Sequence, residues 1–312
     1  MTVGGESKPR DLIVLGGGVT GLTAAGEAAR SGLDVLCLAG GDGLLGGLVV
    51  NVGVLDGFPH GQTTSGMELA ATLIAAATAD GAKIEFADAQ GMQRVGGHWR
   101  VETETGDSHT ARAVLAATGA RLRRLGVPGE DELTGRGVSQ CAYCDGAFFK
   151  DETVAVVGGG DAALQEALHL AEMCGKIELV TRGPALRARP DYVRQATEDA
   201  KFAFHWNSTV EAVLGEEAVT GVRVVSDGQR AEIACTGVFV FIGLEPTTDC
   251  LPDLSRDEAG CLTTDGRFRT GAPGIYAAGA VRSGYGGLLV HATEEAAAAV
   301  GSIREDLSAE TA

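Results

Sequence analysis

A short apolar run, Asp11-Leu-Ile-Val-Leu15, passes at once into Gly16-Gly17-Gly18-Val19-Thr20-Gly21 and then into the Ala-rich stretch Leu22 to Arg30. An apolar run, a glycine cluster and a helix-forming composition in that order predict strand, tight turn and helix. A second apolar run, Asp34 to Leu38, completes a βαβ unit. The same rhythm restarts later. Val154-Ala-Val-Val157 leads into Gly158-Gly-Gly160-Asp161-Ala162-Ala163, a helix predicted to about Cys174, and a strand at Ile177 to Val180. The two glycine clusters lie too far apart for a solenoid repeat and suit two domains. Between them, Thr64 to Asp80 has helical spacing, with Met67, Ala70, Ala71 and Ile74 expected on the core face, and Val101 to Thr103 and Val114 to Ala117 read as strands. Val222 to Val225 and Gly237 to Phe241 are expected to complete the second domain. Gly274 to Gly279 and an Ala-rich helix from about Val290 to Arg304 are expected to return to the first.

Composition narrows this picture. A chain of 312 residues suits about two domains, and with 45% hydrophobic but only 5% aromatic residues their cores must be built from Ala, Val, Leu and Ile. The 47 glycines have no fixed period, which excludes a fibrous chain. A net charge of −17 argues against nucleic acid as a partner, because Lys and Arg supply counterion release. Met1 to Arg10 is polar and no apolar run reaches the ~20 residues of a membrane helix, so a cytoplasmic protein is expected, with no membrane partner. Seven scattered cysteines do not form a secreted disulfide framework.

The candidate chemistry sits at the glycine clusters and between them. Gly16, Gly18 and Gly21, after a strand and opening a helix, let the backbone approach a pyrophosphate whose charge meets the free N–H groups of the helix start. Gly158, Gly160 and Ala163 repeat the arrangement. The acidic residue that commonly ends the second strand is absent, since Leu38 is followed by Ala39, Gly40 and Gly41, so ribose recognition is expected from Asp42 or from backbone groups. Just upstream of the second cluster stands Cys141-Ala-Tyr-Cys144-Asp145-Gly146. Two cysteines three positions apart can close a small disulfide ring, and a dithiol between two nucleotide loops points to electron transfer. Half a zinc site and two buried cysteines are the other readings. Zinc needs about four ligands and no other Cys-x-x-Cys occurs, so no metal is expected. Asp145 reads either as a proton shuttle for the pair or as a helix-start cap.

Together with Ala117-Thr118-Gly119, Gly135 to Ser139, Phe239 to Gly243 and Pro273 to Gly279, these segments resemble the low-molecular-weight thioredoxin reductases over nearly the whole chain. The resemblance implies an α/β fold of two Rossmann-like dinucleotide-binding domains, the second inserted in the first. Residues 1–120 and 246–312 would bind FAD, and 121–245 would form an NAD(P)H-type domain carrying the Cys pair. It also implies that Gly16, Gly18, Gly21, Gly47, Asn51, Thr118, Gly119, Gly279, Ala280, Leu288 and Leu289 line the FAD site. Gly158, Gly160, Ala163, Arg182 and Arg187 would bind NADPH. Cys144 would face the flavin, Cys141 would attack a substrate disulfide, and Asp145 would exchange their proton. His291 would lie near the flavin or serve a structural role. The implied partner is a thioredoxin-like protein or a small-molecule disulfide, and the implied assembly a homodimer. Hinges are expected near Gly119 to Arg124 and Gly243 to Thr248, because Cys144 cannot meet the flavin while Cys141 meets a bulky disulfide.

Several positions depart from the family pattern. Its His-Arg-Arg-x-x-x-Arg segment, which binds the NADPH 2′-phosphate, is Thr181-Arg182-Gly183-Pro184-Ala185-Leu186-Arg187, so two of three arginines remain. Each lost guanidinium contact removes about 1.5 to 3 kcal/mol, and NADPH affinity is expected to be weakened. The family's Gly-Asp-Val is Gly279-Ala280-Val281, its Arg-Gln-Ala is Gly287-Leu288-Leu289, and the Gln of Gly-Gly-Gln-Leu is Leu48. These changes open three further readings: a small-molecule dithiol oxidase using O2, a thioredoxin reductase fed by ferredoxin, and a non-catalytic redox sensor. Asp145 stands against the oxidase, whose relatives carry His there.

Overall fold

In this computed structural model residues 8–40, 45–55, 58, 61 and 63–310 are described; Asp42 lies outside them. The chain runs through β1 (Arg10–Leu15), α1 (Val19–Arg30), β2 (Val35–Leu38), α2 (Gly66–Ala79), β3 (Lys83–Glu85), β4 (Ala89–Val95), β5 (His98–Thr103) and β6 (Ser108–Ala116). It crosses at β7 (Ala120–Leu122) into β8 (Val138–Ser139), α3 (Ala142–Asp145), β9 (Thr153–Val157), α4 (Asp161–Met173), β10 (Lys176–Val180), α5 (Pro190–Glu198) and β11 (Phe202–His205). Then come β12 (Ser208–Gly215), β13 (Val219–Ser226), β14 (Gln229–Ala234) and β15 (Gly237–Val240), a return at β16 (Leu244–Pro246), β17 (Ile275–Ala277) and α6 (Leu289–Ala309). Two compact units result: one up to Arg121 and from Glu245, the other Leu122–Leu244. The crossing segments β7 and β16 pair with each other.

The first unit holds a sheet ordered β3-β2-β1-β6-β5-β4, with β17 also on β6. Parallel pairing joins β1 to β2 and β6, and β17 to β6, whereas β5 runs antiparallel. One long strand, β6, therefore serves three partners: β1 along Ala111 to Ala116, β5 along Ser108 to Ala111 and β17 along Val114 to Ala116. Alternation along β1 sends Leu12 and Val14 to the face packed by Ala24 and Ala28 of α1 and Ala296 and Ile303 of α6. Ile13 and Leu15 face Trp99, Val101, Leu262 and Val281. Both faces are covered, which is why Leu12 to Leu15 are apolar without interruption.

Two expectations change here. The first helix starts at Val19, three residues early, with Gly21 inside it. In α2 the buried residues are Gly66, Leu69, Ala70 and Ala77, while Met67 is 69% exposed and Ala71 is exposed. This helix is apolar nearly all round, so spacing alone does not choose the buried side. A capping box sets its start, with Glu68 N donating to Ser65 Oγ and Ser65 N to the Glu68 carboxylate.

The second unit contains a parallel sheet ordered β11-β10-β9-β15-β8 and a separate antiparallel sheet, β12-β13-β14. Val154 and Val156 of β9 face α3, α4 and α5 through Ala142, Leu164, Leu170 and Ala196. Ala155 and Val157 face Val213, Val222 and Val224. The strand expected at Val222 to Val225 completes this unit as part of the covering antiparallel layer. Its alternate valines are buried because they close the other face of β9.

Candidate active site

In the first unit, Gly16 has φ +110°, and a Cβ there would overlap the Ala117 carbonyl. A Cβ on Gly21 would overlap the Gly16 carbonyl, so this glycine brings α1 against the end of β1. Gly18 differs: the nearest atom to a Cβ placed there is Gly46 O at 3.8 Å, which leaves this side of the loop open. The turn at Gly46 and Gly47, both with positive φ, closes on this loop through Gly46 N donating to Gly17 O at 2.8 Å. Asn51 ends the following 3-10 turn, on which Leu48 is exposed. A cavity of about 550 Å³ adjoins the loop, lined among others by Gly16, Leu38, Gly40, Asp88, Thr118 and Asp249. Thr118 Oγ1 donates to Thr247 O at 2.5 Å, and Thr247 N to Gly119 O at 3.1 Å, which ties this wall together. A Cβ on Gly40 would overlap the Asp88 carboxylate, so an acid from the β3–β4 connection stands beside the end of β2. No motif marks Asp88; only the fold brings it there.

The start of α6 lies in the same unit. Gly279, with φ +76°, packs on Thr20, and its N–H donates to Glu295 Oε2 at 2.8 Å. Arg282 is ion-paired with Glu295, and Ala280 is half-buried between these groups in sequence. Leu288 caps the helix without a side-chain bond and is 57% exposed; Leu289 is half-buried. The His291 ring packs against Gly286, and its Nδ1 is buried with no hydrogen-bond partner among the described residues.

In the second unit, a Cβ on Gly158 (φ +151°) would overlap the Phe241 carbonyl, Gly160 has nothing within 4 Å, and Ala163 is fully buried. The connection after β10 folds back over this loop, with Arg187 N donating to Gly159 O at 2.7 Å and Arg189 N to Asp161 Oδ1 at 2.6 Å. Arg182 and Arg187 are exposed, and neither guanidinium has a hydrogen-bond or ion-pair partner among the described residues. Arg189 is committed elsewhere: it holds Asp191 bidentately, at 3.1 and 2.8 Å, and lies over the Tyr192 ring. Asp161 puts a carboxylate at the first position of α4.

The cysteine pair forms a disulfide with Cα atoms 5.3 Å apart. Cys141 is buried and Cys144 exposed. Cys141 is the N-cap of α3, its Sγ accepting from Cys144 N at 3.1 Å. Ser139 Oγ donates to Asp145 Oδ2 at 2.6 Å and accepts from Cys141 N at 3.0 Å, so one hydroxyl links the carboxylate to the turn. Asp145 itself makes no side-chain capping bond. From α4, the half-buried Glu166 accepts from Ala142 N at 3.0 Å, and burial holds its carboxyl above the usual range. Tyr143, between the two cysteines, stacks on His169 with ring centroids 3.8 Å apart. Ser139 has a sequence signal in its closeness to Cys141. Glu166, 24 residues from its partner, has none.

The other cysteines behave differently. Burial pushes the Cys37 and Cys235 thiols up to about 12 and those of Cys174 and Cys250 up to about 11. Among the described residues no cluster of His, Cys, Asp and Glu suits a metal ion, and no helix is long and apolar enough to cross a membrane.

The sequence profile of the pyridine nucleotide-disulphide oxidoreductases matches residues 10–296. A thioredoxin reductase of Listeria monocytogenes is 38% identical, the match covering 98% of this chain and 99% of that one. Among solved structures, Lactococcus lactis thioredoxin reductase superposes with a TM-score of 0.88 at 33% identity over 95% of this chain and 98% of that one. T. acidophilum thioredoxin reductase gives 0.88 at 31% identity over 96% of this chain and 99% of that one. With its disulfide, its two glycine loops and these relatives, the chain belongs to the pyridine nucleotide-disulphide oxidoreductase family, among the low-molecular-weight thioredoxin reductases, and is an oxidoreductase.

Proposed function

We propose that the chain reduces a disulfide substrate through Cys141 and Cys144, with NADPH as electron donor and FAD as the bound carrier. The observation that carries this reading is the turn itself: a disulfide whose Cys141 Sγ receives the Cys144 N–H, beside a carboxylate held by Ser139. The unit up to Arg121 and from Glu245 would hold FAD, which supplies a two-electron carrier. The open face of Gly18 and the adjoining cavity fit such a group. Gly16, Gly18, Gly21, Gly47, Asn51, Thr118, Gly119, Gly279, Ala280, Leu288 and Leu289 would hold it, with His291 contributing its Nδ1, which has no hydrogen-bond partner among the described residues. Gly158, Gly160 and Ala163 would receive NADPH, and the exposed Arg182 and Arg187 its 2′-phosphate.

Two electrons and two protons open the Cys141–Cys144 bond. Asp145 returns a proton to the pair and takes it back, Cys141 Sγ attacks the substrate disulfide, and Cys144 Sγ displaces it from the mixed disulfide, releasing a dithiol. A thioredoxin-like protein is the substrate. Exposed Met67, Leu48 and Val54 in the first unit support a homodimer.

One observation favours a second reading. Leu48 and Leu288 are exposed where the family carries polar residues, which suits a small-molecule dithiol oxidase. Stopped-flow bleaching of the flavin separates the two. Rapid bleaching by NADPH supports the reductase. Bleaching by a dithiol alone, with release of hydrogen peroxide, overturns it for the oxidase, and bleaching by neither points to ferredoxin or to a sensor.

A further inference from the structure

The structure assigns a role to Glu166: we propose that it is a positioning residue that holds the first amide of the redox turn and makes the Cys141–Cys144 pair a stronger reductant. This rests on reading the pair as redox-active.

Three amides at the start of α3 bear on the pair. Cys141 N donates to Ser139 Oγ, Cys144 N to Cys141 Sγ, and Ala142 N to Glu166 Oε2. The amides of a turn normally offer their partial positive charge to a thiolate at the N-cap. Here one is taken by a carboxylate from α4. Negative charge one residue from Cys141 opposes a second negative charge on its sulfur, so the reduced, thiolate-bearing form is disfavoured relative to the disulfide. A dithiol that resists reduction passes its electrons on more readily.

The groups around Glu166 offer little neutralising charge. Tyr143 of α3 faces it, and His169, which stacks on Tyr143, and Glu172 lie on its own helix. No lysine or arginine is hydrogen-bonded or ion-paired to Glu166 among the described residues. Asp145, on the other side of the turn, is engaged with Ser139. The two carboxylates thus have separate tasks: Asp145 next to Cys144 handles protons, and Glu166 biases Cys141.

Glu166→Gln keeps an oxygen acceptor for Ala142 N and removes only the charge, whereas Glu166→Ala removes both. The full-length chain and both variants are equilibrated in dithiothreitol buffers at pH 8, quenched in acid and alkylated, and the 141/144 peptide is weighed for its reduced fraction. Iodoacetamide labelling of reduced Cys141 across pH 6 to 10 is the second measurement. Glu166→Gln is expected to favour the reduced form about tenfold, about 30 mV for a two-electron couple, and to move the labelling midpoint to lower pH. Below the carboxyl's own titration the wild type should converge on the variant. A Gln variant that matches the wild type in both measurements overturns the proposal, even if the Ala variant is slow, because position alone would then explain the contact. A wild-type pair with no reversible equilibrium would instead overturn the redox reading itself.

Discussion

Replacing Gly183 with arginine puts back the guanidinium that the family carries at this position. The backbone permits it: Gly183 is not in the left-handed region, and an added Cβ would meet its nearest neighbour, Ala185 O, at 3.5 Å, an ordinary contact. The loop is already held on both sides, by Arg187 N on Gly159 O at 2.7 Å and Asn207 N on Gly183 O at 3.2 Å. A new side chain would therefore start from an ordered base beside the two exposed arginines. A charge-assisted bond to phosphate contributes about 1.5 to 3 kcal/mol. Arg182 and Arg187 are exposed, and solvent screening argues for the lower figure. At 1.4 kcal/mol per decade, the Kd for NADPH should fall about tenfold in Gly183→Arg and rise about tenfold in Arg187→Ala. NADH lacks the 2′-phosphate and should be unaffected by either change. Isothermal titration of both nucleotides at low and moderate salt measures this directly. Equal effects on NADH and NADPH, or none on either, would refute the assignment of the loop to the phosphate.

Asp145→Asn should leave the flavin reducible but slow release of dithiol product, and Ser139→Ala should share part of that defect because the carboxylate loses its 2.6 Å hydroxyl; multiple-turnover assays beside single-turnover flavin reduction separate the steps. Gly21→Ala should cost at least about 1 to 3 kcal/mol in the first unit and lower retained flavin, since its Cβ has no room against Gly16; thermal unfolding and the flavin-to-protein absorbance ratio report it, and a fully flavinated, equally stable variant would contradict the packing argument. Because burial raises the Cys37, Cys174, Cys235 and Cys250 thiols to about 11 or 12, their thiolates are scarce at pH 8 and appear only as pH rises toward those values. Peptide mapping after iodoacetamide treatment of the native chain should show these four unlabelled, with Cys141 and Cys144 labelled only after reduction.

Much of the site was legible because it is local. Gly16, Gly18 and Gly21 stand within six residues, between a strand and a helix, and the pair at Cys141 and Cys144 lies within one turn. The two strand-glycine-helix segments lie in different compact units. Where the pattern failed, the reason was degeneracy. In α2 nearly every side chain is apolar, so Met67 and Leu69 were equally good candidates for the core, and only contact with neighbouring elements buried Leu69.

The amino-acid sequence by itself determined the α/β class, the two glycine loops and the presence of a dithiol beside an acid, because turns and short rings depend on neighbours along the chain. Tertiary structure decided what surrounds them. It brought Asp88 to the end of β2 and carried Glu166 across from α4 to Ala142. Those contacts join residues whose separation along the chain has no period to betray it; packing of whole elements is what makes them neighbours.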